Sequence, residues 1–335
     1  MILQLSGEEF RNAVLANASP LSHQRDLSED ARKRIADVVR AAWPEGGVRA
    51  NVEWDESEIR FANAEALAWL TLAPALDIAP STEQWADLAT SGVILTDGST
   101  WLERHYSEQG ALEAASSCVS SSLRPWAQLV GAIPNDVRVP DAVVDALMVN
   151  VSNMTPRQAQ IDLWTVGDRF AREGRLDALR ILSKKGSAFE QGLRPWRARL
   201  GDSEAARLLL EELIATLRDG KQVDRDEAEW LEGVTDEALL GALFEALALA
   251  LPLENGSPFG AAGSIGRAIY RIGGDEAVQR YDELIESSDE SRFKFLRLQR
   301  DEIVQKELRV VGQRDAAEVA SRLKLTKLDP GLPRD

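Results

Sequence analysis

The stretch Leu123-Arg124-Pro125-Trp126 occurs a second time as Leu193-Arg194-Pro195-Trp196, and this duplication indicates the kind of fold that the chain adopts. Around the two copies, residues 112–131 and 182–201 align without a gap and share seven of twenty positions. Proline is tolerated in the first turn of a helix, where its missing N–H has no partner to lose. Tryptophan brings a large apolar surface. Each copy is therefore predicted to begin a helix with its proline and to anchor that helix in the core with its tryptophan.

The tryptophans in the later part of the chain recur at a nearly regular interval. Gaps of 38, 32 and 34 residues separate Trp126, Trp164, Trp196 and Trp230. A period of this size in a helix-rich chain is typical of a repeat made of two helices. The alternative to internal duplication is a coincidental match between two short segments.

Capping signals predict helices along most of the chain. Four clear starts precede apolar helical stripes, namely Ser28, Ser81 with Gln84, Thr100 with Glu103, and Thr155 with Pro156. The helix that begins after Thr155 is predicted to carry the apolar residues Ile161, Leu163, Trp164, Val166 and Phe170. A second helix follows directly after Gly174, so this part of the chain is predicted to be a helical hairpin with a very short turn.

Together these patterns predict an all-α fold, in the form of a right-handed α-solenoid of antiparallel helical hairpins. Apolar and polar residues alternate from Val48 to Trp54, which allows a small β-hairpin near residues 47–61. We expect four segments: an N-terminal helical segment with that hairpin at 1–61, helical repeats at 62–252, further helical repeats at 253–327, and a disordered tail at 328–335. A further break in the helical pattern lies at residues 131–140.

Residues Ala261–Leu308 resemble bacterial HEAT-like repeats. The resemblance lies in the stretch from Ile265 to Val278, Ile-Gly-Arg-Ala-Ile-Tyr-Arg-Ile-Gly-Gly-Asp-Glu-Ala-Val, which is similar to the helix–turn–helix core of that family. Phe293-Lys294-Phe295 departs from the pattern, which has small residues there, and residues 156–185 look as much like a tetratricopeptide hairpin as a HEAT one. HEAT-like families mainly act as scaffolds for protein partners, and a minority bind or repair DNA. The resemblance implies this range of functions.

Composition narrows the classes of protein to which the chain belongs. The net charge of −16 argues against non-specific binding to nucleic acid or to an anionic membrane, because affinity for phosphate requires clustered Lys and Arg. A single cysteine, Cys118, excludes an intramolecular disulfide and is typical of a reducing compartment. The N-terminus lacks the pattern of a signal peptide, and the most apolar stretch, Ala238–Leu253, is too short to span a bilayer. We therefore expect a cytoplasmic protein, and the ratio of 31 Arg to 8 Lys suggests a bacterial source.

Few residues are candidates for chemistry. His105 shares a predicted helix face with Glu108, but two ligands do not make a metal site, and the other histidine is His23. Cys118 has no adjacent base and is expected to be a buried core thiol. The glycines at 256, 260, 263, 266, 273 and 274 follow no strand and lack the Gly-Lys-Ser/Thr ending of a phosphate-binding loop, so close helix packing explains them. We expect no cofactor, no metal ion and no catalytic activity.

One charged segment could form a binding face. Between residues 169 and 199, nine basic residues outnumber three acids, and the candidate face consists of Arg169, Arg172, Arg175, Arg180, Lys184, Lys185, Arg194, Arg197 and Arg199. Such a segment can contact a negatively charged ligand; the alternative is a set of helix faces whose charges pair with neighbouring acids. We expect a protein partner and a non-enzymatic scaffold or adaptor, for example the sensing or regulatory part of a bacterial multi-protein defence system. The alternative is a nucleic-acid-binding HEAT-like protein that uses the 169–199 face.

Overall fold

The structure is a computed structural model of the chain. It describes residues 2–54, 59–61, 63–92, 98–156, 160–223, 225–254 and 260–273, together with residues 279, 280, 282, 283, 286, 287 and 297. The chain divides into two compact units, Met1–Leu193 and Arg194–Asp335. The division falls inside the second Leu-Arg-Pro-Trp copy, where the composition marks no break. The predicted boundaries at residues 61 and 252 stay predictions, and the predicted tail lies outside the described residues.

Helices account for most of the described residues, which confirms the predicted all-α class. The first unit contains α1 (Gly7–Ala16), α2 (Ala18–Ser22), α3 (Glu29–Ala41), α4 (Ala64–Leu76), α5 (Thr82–Ala89), α6 (Gly98–Arg104), α7 (Glu108–Ser117), α8 (Arg124–Gly131), α9 (Asp141–Asn150), α10 (Gln160–Arg172) and α11 (Leu176–Ser183). The division between the units lies within α12 (Ser187–Arg199), and the second unit continues with α13 (Ser203–Arg218), α14 (Leu240–Glu254) and α15 (Ala261–Ile272). Short 3-10 helices lie at Ile2–Gln4, Arg49–Asn51, Val151–Asn153, Asp226–Gly233 and Glu237–Leu239.

Two strands of three residues each lie within the range where a hairpin was predicted. β1 (Val52–Trp54) pairs antiparallel with β2 (Ile59–Phe61), with Glu53 opposite Arg60. The connecting residues 55–58 lie outside the described residues. The hairpin as a whole therefore stays a prediction.

Two of the predicted helix starts are confirmed, and one is wrong. The Ser28 hydroxyl accepts a hydrogen bond from the N–H of Ala31 at 3.2 Å and caps α3. Ser81 and Gln84 form a complete capping box at the start of α5. Thr100 does not begin a helix, because α6 is already helical from Gly98 and threonine is tolerated inside a first turn. For the start after Thr155, residues 157–159 lie outside the described residues.

The two Leu-Arg-Pro-Trp copies have different structures, so the prediction of two equivalent helix starts is wrong for the second copy. In the first copy, Pro125 lies in the first turn of α8 and Trp126 is fully buried. In the second copy, Pro195 lies inside α12, where a proline removes one backbone hydrogen bond and crowds the carbonyl four residues earlier. That carbonyl belongs to Gln191, an exposed residue, and Trp196 is only partly buried. The copies differ because the second one follows a helix that is already under way.

Large aromatic side chains fill the core of the first unit. The buried set includes Trp69, Trp85, Trp101, Trp126 and Phe170. Helix α8 packs on α10, α7 packs on both α5 and α9, and α9 contacts α11. The indole N–H of Trp85 donates to the carbonyl of Leu102 at 3.0 Å. This packing brings α8, α9, α10 and α11 into one group, which carries the candidate site.

The second unit packs α13, α14 and α15 around an apolar core. The 3-10 helix that ends at Gly233 contacts α15. A Cβ added at Gly233 would lie 1.8 Å from the carbonyl oxygen of Arg199, so only glycine fits there. Gly263 and Gly266 are buried in α15, as expected for glycines that allow close helix packing. The glycines at 256 and 274 lie outside the described residues.

The HEAT-like stretch is described only in its first half. Its first helix is α15, and Gly273 ends that helix with a φ of +72°, a conformation that favours glycine. Residues 274–278, which would turn into the second helix, lie outside the described residues. The resemblance therefore stays a prediction. No helix in the described part of the chain has both the length and the apolar character needed to cross a bilayer.

Candidate protein-binding surface

Arg169, the first member of the predicted basic face, is buried and bonds to the loop that joins α8 to α9. Its guanidinium donates to five acceptors: the carbonyls of Ile133 (3.2 Å), Pro134 (2.8 Å) and Val137, Asn135 Oδ1 (3.1 Å), and Glu173 Oε1 (2.8 Å). A guanidinium has five N–H donors, and all of them are used here. Arg169 is therefore committed to holding the structure together.

Arg175 and Glu173 extend this contact to the end of the same loop. Arg175 donates to Glu173 Oε2 at 2.7 Å, to Asp141 Oδ1 at 2.7 Å, and to the carbonyl of Val139. The N–H of Val139 in turn donates to Glu173 Oε1 at 2.9 Å. We call Arg169, Glu173 and Arg175 the arginine clamp, because together they fix the loop between α8 and α9.

The two positive charges of the arginine clamp are balanced by Glu173 and by Asp141, which pairs with Arg175. Burial raises the pKa of Glu173, but hydrogen bonds from the Val139 N–H and from Arg175 and Arg169 outweigh that effect and hold the pKa below its ordinary value. A hydrogen bond from Arg175 likewise lowers the pKa of the exposed Asp141. Both carboxylates are therefore ionised at neutral pH, and the two arginines of the clamp are not available to bind an external anion.

Four other members of the predicted basic face belong to the first unit and are exposed or partly exposed. Arg172 Nη2 lies 2.5 Å from Asp168 Oδ2, and Arg180 Nη1 lies 3.7 Å from Asp177 Oδ1. Lys185 donates to the carbonyl of Ser152 at 2.7 Å. Lys184 is exposed.

The last three members belong to the second unit. Arg194 is buried and pairs with Glu212. Arg197 Nη2 lies 3.0 Å from Asp202 Oδ2, and Arg199 is partly exposed. The contacts of the nine residues thus favour the alternative interpretation, in which most of these charges pair with neighbouring acids.

Asp162 is a buried carboxylate on α10 that the sequence patterns did not single out. Only 2% of the residue is exposed, and its Oδ2 lies 3.5 Å from Nε of Arg124 on α8. Within the described part of the chain, its Oδ1 has no hydrogen-bond donor. Burial raises the pKa of Asp162, and Arg124 offsets this only in part. No sequence signal was available, because an aspartate in a helix is usually exposed.

Two large apolar side chains of α10 lie exposed to solvent. Ile161 and Trp164 each have 57% of their surface exposed, whereas Leu163, Val166 and Phe170 are buried. The sequence prediction grouped all five as the apolar residues of this helix and missed the difference. A stripe with spacings of three and four residues already accounts for the buried face, and Ile161 and Trp164 fall outside it. We call Ile161 and Trp164 the α10 patch.

The residues considered for chemistry have local structural contacts. His105 Nε2 lies 3.3 Å from Asp77 Oδ1, and the His23 ring contacts the Ser19 carbonyl at 2.8 Å. Cys118 is buried, and burial raises the pKa of its thiol to about 11, far from that of a reactive thiolate at neutral pH. Among the residues that the structure describes, no three His, Cys, Asp or Glu side chains are grouped so that they could hold a metal ion.

Comparison of the chain with protein-family models, with curated proteins and with solved structures gives no match. The interpretation of the α10 patch therefore depends on the contacts and exposure of its own residues.

Proposed function

We propose that the chain is a non-enzymatic protein-interaction scaffold whose first unit presents the α10 patch to a protein partner. The observation that carries this proposal is the exposure of Trp164 beside Ile161, one helical turn apart. Residues at this spacing share one side of a helix and form a continuous apolar area. Tryptophan is strongly enriched among the residues that dominate the binding energy of protein interfaces.

The contacts that hold α10 in place at both of its ends support the same function. Arg169, near the end of this helix, belongs to the arginine clamp, and Asp162, near its start, lies against Arg124 of α8. The α10 patch lies at the same end of the helix as Asp162. A surface that is ordered before binding loses less conformational entropy when a partner docks, so more of the contact energy appears as affinity.

The contacts among α8 to α11 also support a scaffold of stacked hairpins. Hydrogen bonds join Asn135 to Arg169 and Asp141 to Arg175, pairs that are 34 residues apart, and Ser152 to Lys185, which are 33 residues apart. This interval is close to the period of the tryptophans, although the tryptophans themselves occupy different environments. We propose an α-solenoid, HEAT-like with a tetratricopeptide-like arrangement as the alternative. Solenoids bind partners along extended surfaces.

The contacts of the basic residues weaken the alternative that the chain binds nucleic acid. Affinity for phosphate depends on cations that a ligand can reach, and the arginine clamp uses two of the predicted ones internally. We therefore place the scaffold in a cytoplasmic bacterial assembly with protein partners, for example a defence system. Nucleic acid remains as an outcome that the following experiment distinguishes.

The proposal is tested by photo-crosslinking in cells that express the full chain. A benzophenone amino acid replaces Ile161 in one variant and Val119 in the control, because Val119 is 80% exposed and lies outside α10. We expect a discrete adduct from position 161 that protease destroys and nuclease does not. An adduct that nuclease destroys would favour the nucleic-acid alternative. Equal labelling at both positions, or no adduct at position 161, would contradict the proposed function.

A further inference from the structure

Pro195 deprives one carbonyl group of α12 of its usual hydrogen-bond partner. In an α-helix each N–H donates to the carbonyl four residues earlier, and proline has no N–H. The carbonyl concerned is that of Gln191, an exposed residue of α12. Among the described residues, no donor outside α12 bonds this carbonyl. The surface of the first unit therefore carries a backbone acceptor that lacks the hydrogen bond which a regular helix gives it.

The first Leu-Arg-Pro-Trp copy shows which group bonds the equivalent carbonyl. Four residues before Pro125 lies Ser121, and its carbonyl accepts a hydrogen bond from the main-chain N–H of Thr155 at 2.8 Å. Met154 has an extended backbone, and Thr155 is biased toward an extended conformation because it precedes Pro156. In the first copy the donor is therefore the main chain of an extended segment. In the second copy the described part of the chain supplies no such donor.

The carbonyl of Gln191 lies beside the α10 patch. A Cβ added at Gly192 would lie 2.7 Å from Cδ1 of Leu163, so α10 and α12 approach each other closely at this point. Gln191 directly precedes Gly192, and Trp164 directly follows Leu163. Because a helix rises only about 1.5 Å per residue, Gln191 and Trp164 both lie close to the height of this contact.

Trp164 and Gln191 both lie on the solvent side of their helices. On α12, Phe189 and Leu193 are buried, and Gln191, which lies between them in the sequence, is exposed. On α10, Phe170 is buried, whereas Trp164 is 57% exposed. Carbonyl groups on the solvent side of a helix tilt outward toward water. One segment of a partner can therefore reach both groups, since packed helices lie about 8–10 Å apart.

We propose that the α10 patch binds an extended segment of its protein partner, which packs an apolar side chain on Trp164 and donates a main-chain N–H to the carbonyl of Gln191. The donor belongs to the partner because a carbonyl only accepts hydrogen bonds. A helical partner would have its N–H groups bonded internally beyond its first turn, which favours an extended one. At about 3.3 Å per residue, about three extended residues reach from α10 to α12. The proposal rests on the scaffold function, and it gives Pro195 the role of keeping the acceptor open.

The test replaces Pro195 in two ways. Pro195→Ala introduces an N–H that bonds the Gln191 carbonyl within α12. Pro195→lactic acid has the side chain of alanine but an ester oxygen in place of the N–H, so the carbonyl stays open. Pro125→Ala is the matched control, because the carbonyl of Ser121 keeps its bond from Thr155. Titration calorimetry measures the Kd of each full-length variant for the protein captured through position 161.

Pro195→Ala is expected to bind the captured protein about tenfold more weakly, as for the loss of one hydrogen bond. Pro195→lactic acid and Pro125→Ala should leave the Kd unchanged. Because Pro195→Ala also restores a hydrogen bond inside α12, loss of fold does not account for its weaker binding. Circular dichroism of the variants checks that each of them is folded.

An unchanged Kd for Pro195→Ala would overturn the proposed contact with Gln191. Equal weakening by Pro195→Ala and Pro195→lactic acid would also overturn it, because the proline ring would then be what the partner contacts. In both cases a weaker Kd for Trp164→Ala would leave the scaffold function in place. No adduct from position 161 would remove the scaffold function and the contact with Gln191 together.

Discussion

Arg169 lies in the last turn of α10 and Glu173 directly follows that helix, and Arg169 Nε donates to Glu173 Oε1 at 2.8 Å in an ion pair that is almost completely buried. The guanidinium of Arg169 also donates to backbone carbonyls of the loop between α8 and α9, and these hydrogen bonds hold the loop against α10. A basic residue that looked like part of a binding face thus builds the interior of the first unit. The structural role of the clamp leads to two predictions about stability.

Replacing Glu173 by Gln should lower the free energy of unfolding by about 3 kcal/mol, because Arg169 and Arg175 would lose the buried carboxylate with which both of them pair. Urea denaturation of the full chain, followed by circular dichroism, measures this change. Asp168→Asn is the matched control, since it removes the charge partner of the more exposed Arg172 and should cost less than about 1 kcal/mol. Equal costs for the two variants would show that the clamp is not a stabilising element.

The clamp should also make the first unit sensitive to acid. The folded-state pKa of Glu173 lies below its ordinary value of 4.5, so the unfolded chain takes up the proton first as the pH falls. The stabilisation is complete above pH 4.5 and is lost as the pH falls below it. Melting temperatures between pH 7 and pH 3 should therefore converge for the unmodified chain and Glu173→Gln. A difference that stays constant down to pH 3 would rule out this contribution.

Asp162 should show the opposite dependence on pH. Burial raises its folded-state pKa above the ordinary 3.8, so the folded chain binds the proton more tightly, and stability falls as the pH rises through the folded pKa. The Asp162→Asn substitution removes this loss of stability with rising pH. Relative to the unmodified chain, the variant should gain stability between pH 4 and pH 7, because it has no buried carboxyl group that must lose a proton. A variant that loses stability over this range would show that the ion pair with Arg124 outweighs burial.

The two Leu-Arg-Pro-Trp copies should respond differently to loss of their prolines. Pro195→Ala should stabilise α12 by about 1–3 kcal/mol, because alanine restores a backbone donor inside the helix. Pro125→Ala should change stability by less than about 1 kcal/mol, because the first turn of α8 has no hydrogen bond to restore. Hydrogen exchange of the amides of each helix measures the two effects. Equal responses would mean that the copies are structurally equivalent after all.

The sequence predicted the helical class well because that class depends on short-range signals. The hydroxyl of Ser28 and the pair Ser81 and Gln84 accept hydrogen bonds from N–H groups three residues away, so their effect is visible in the local sequence. The same local reasoning failed for Pro195. The position of Pro195 inside α12 is set by the helix that begins at Ser187, before the motif. The four residues of the motif do not show that a helix precedes them.

The site was harder to predict because its residues are defined by tertiary contacts. The sequence predicted Arg169 to be a surface cation, because the loop that it bonds lies more than thirty residues earlier in the chain. Only the fold brings that loop and Arg169 together. Trp164 was grouped with the apolar residues of its helix, and it belongs to the same series of regularly spaced tryptophans as Trp126. Only the position of α8 against α10 distinguishes the buried side of the helix from the exposed one.

Binding of a protein partner by the α10 patch is tested most directly by titration calorimetry. The ligand is the protein captured through position 161, and the full chain is compared with Trp164→Ala and with Val119→Ala. Loss of a dominant interface residue costs about 2 kcal/mol or more, which corresponds to a Kd roughly 30-fold weaker. We predict that weakening for Trp164→Ala and an unchanged Kd for Val119→Ala. An unchanged Kd for Trp164→Ala would contradict binding through the α10 patch.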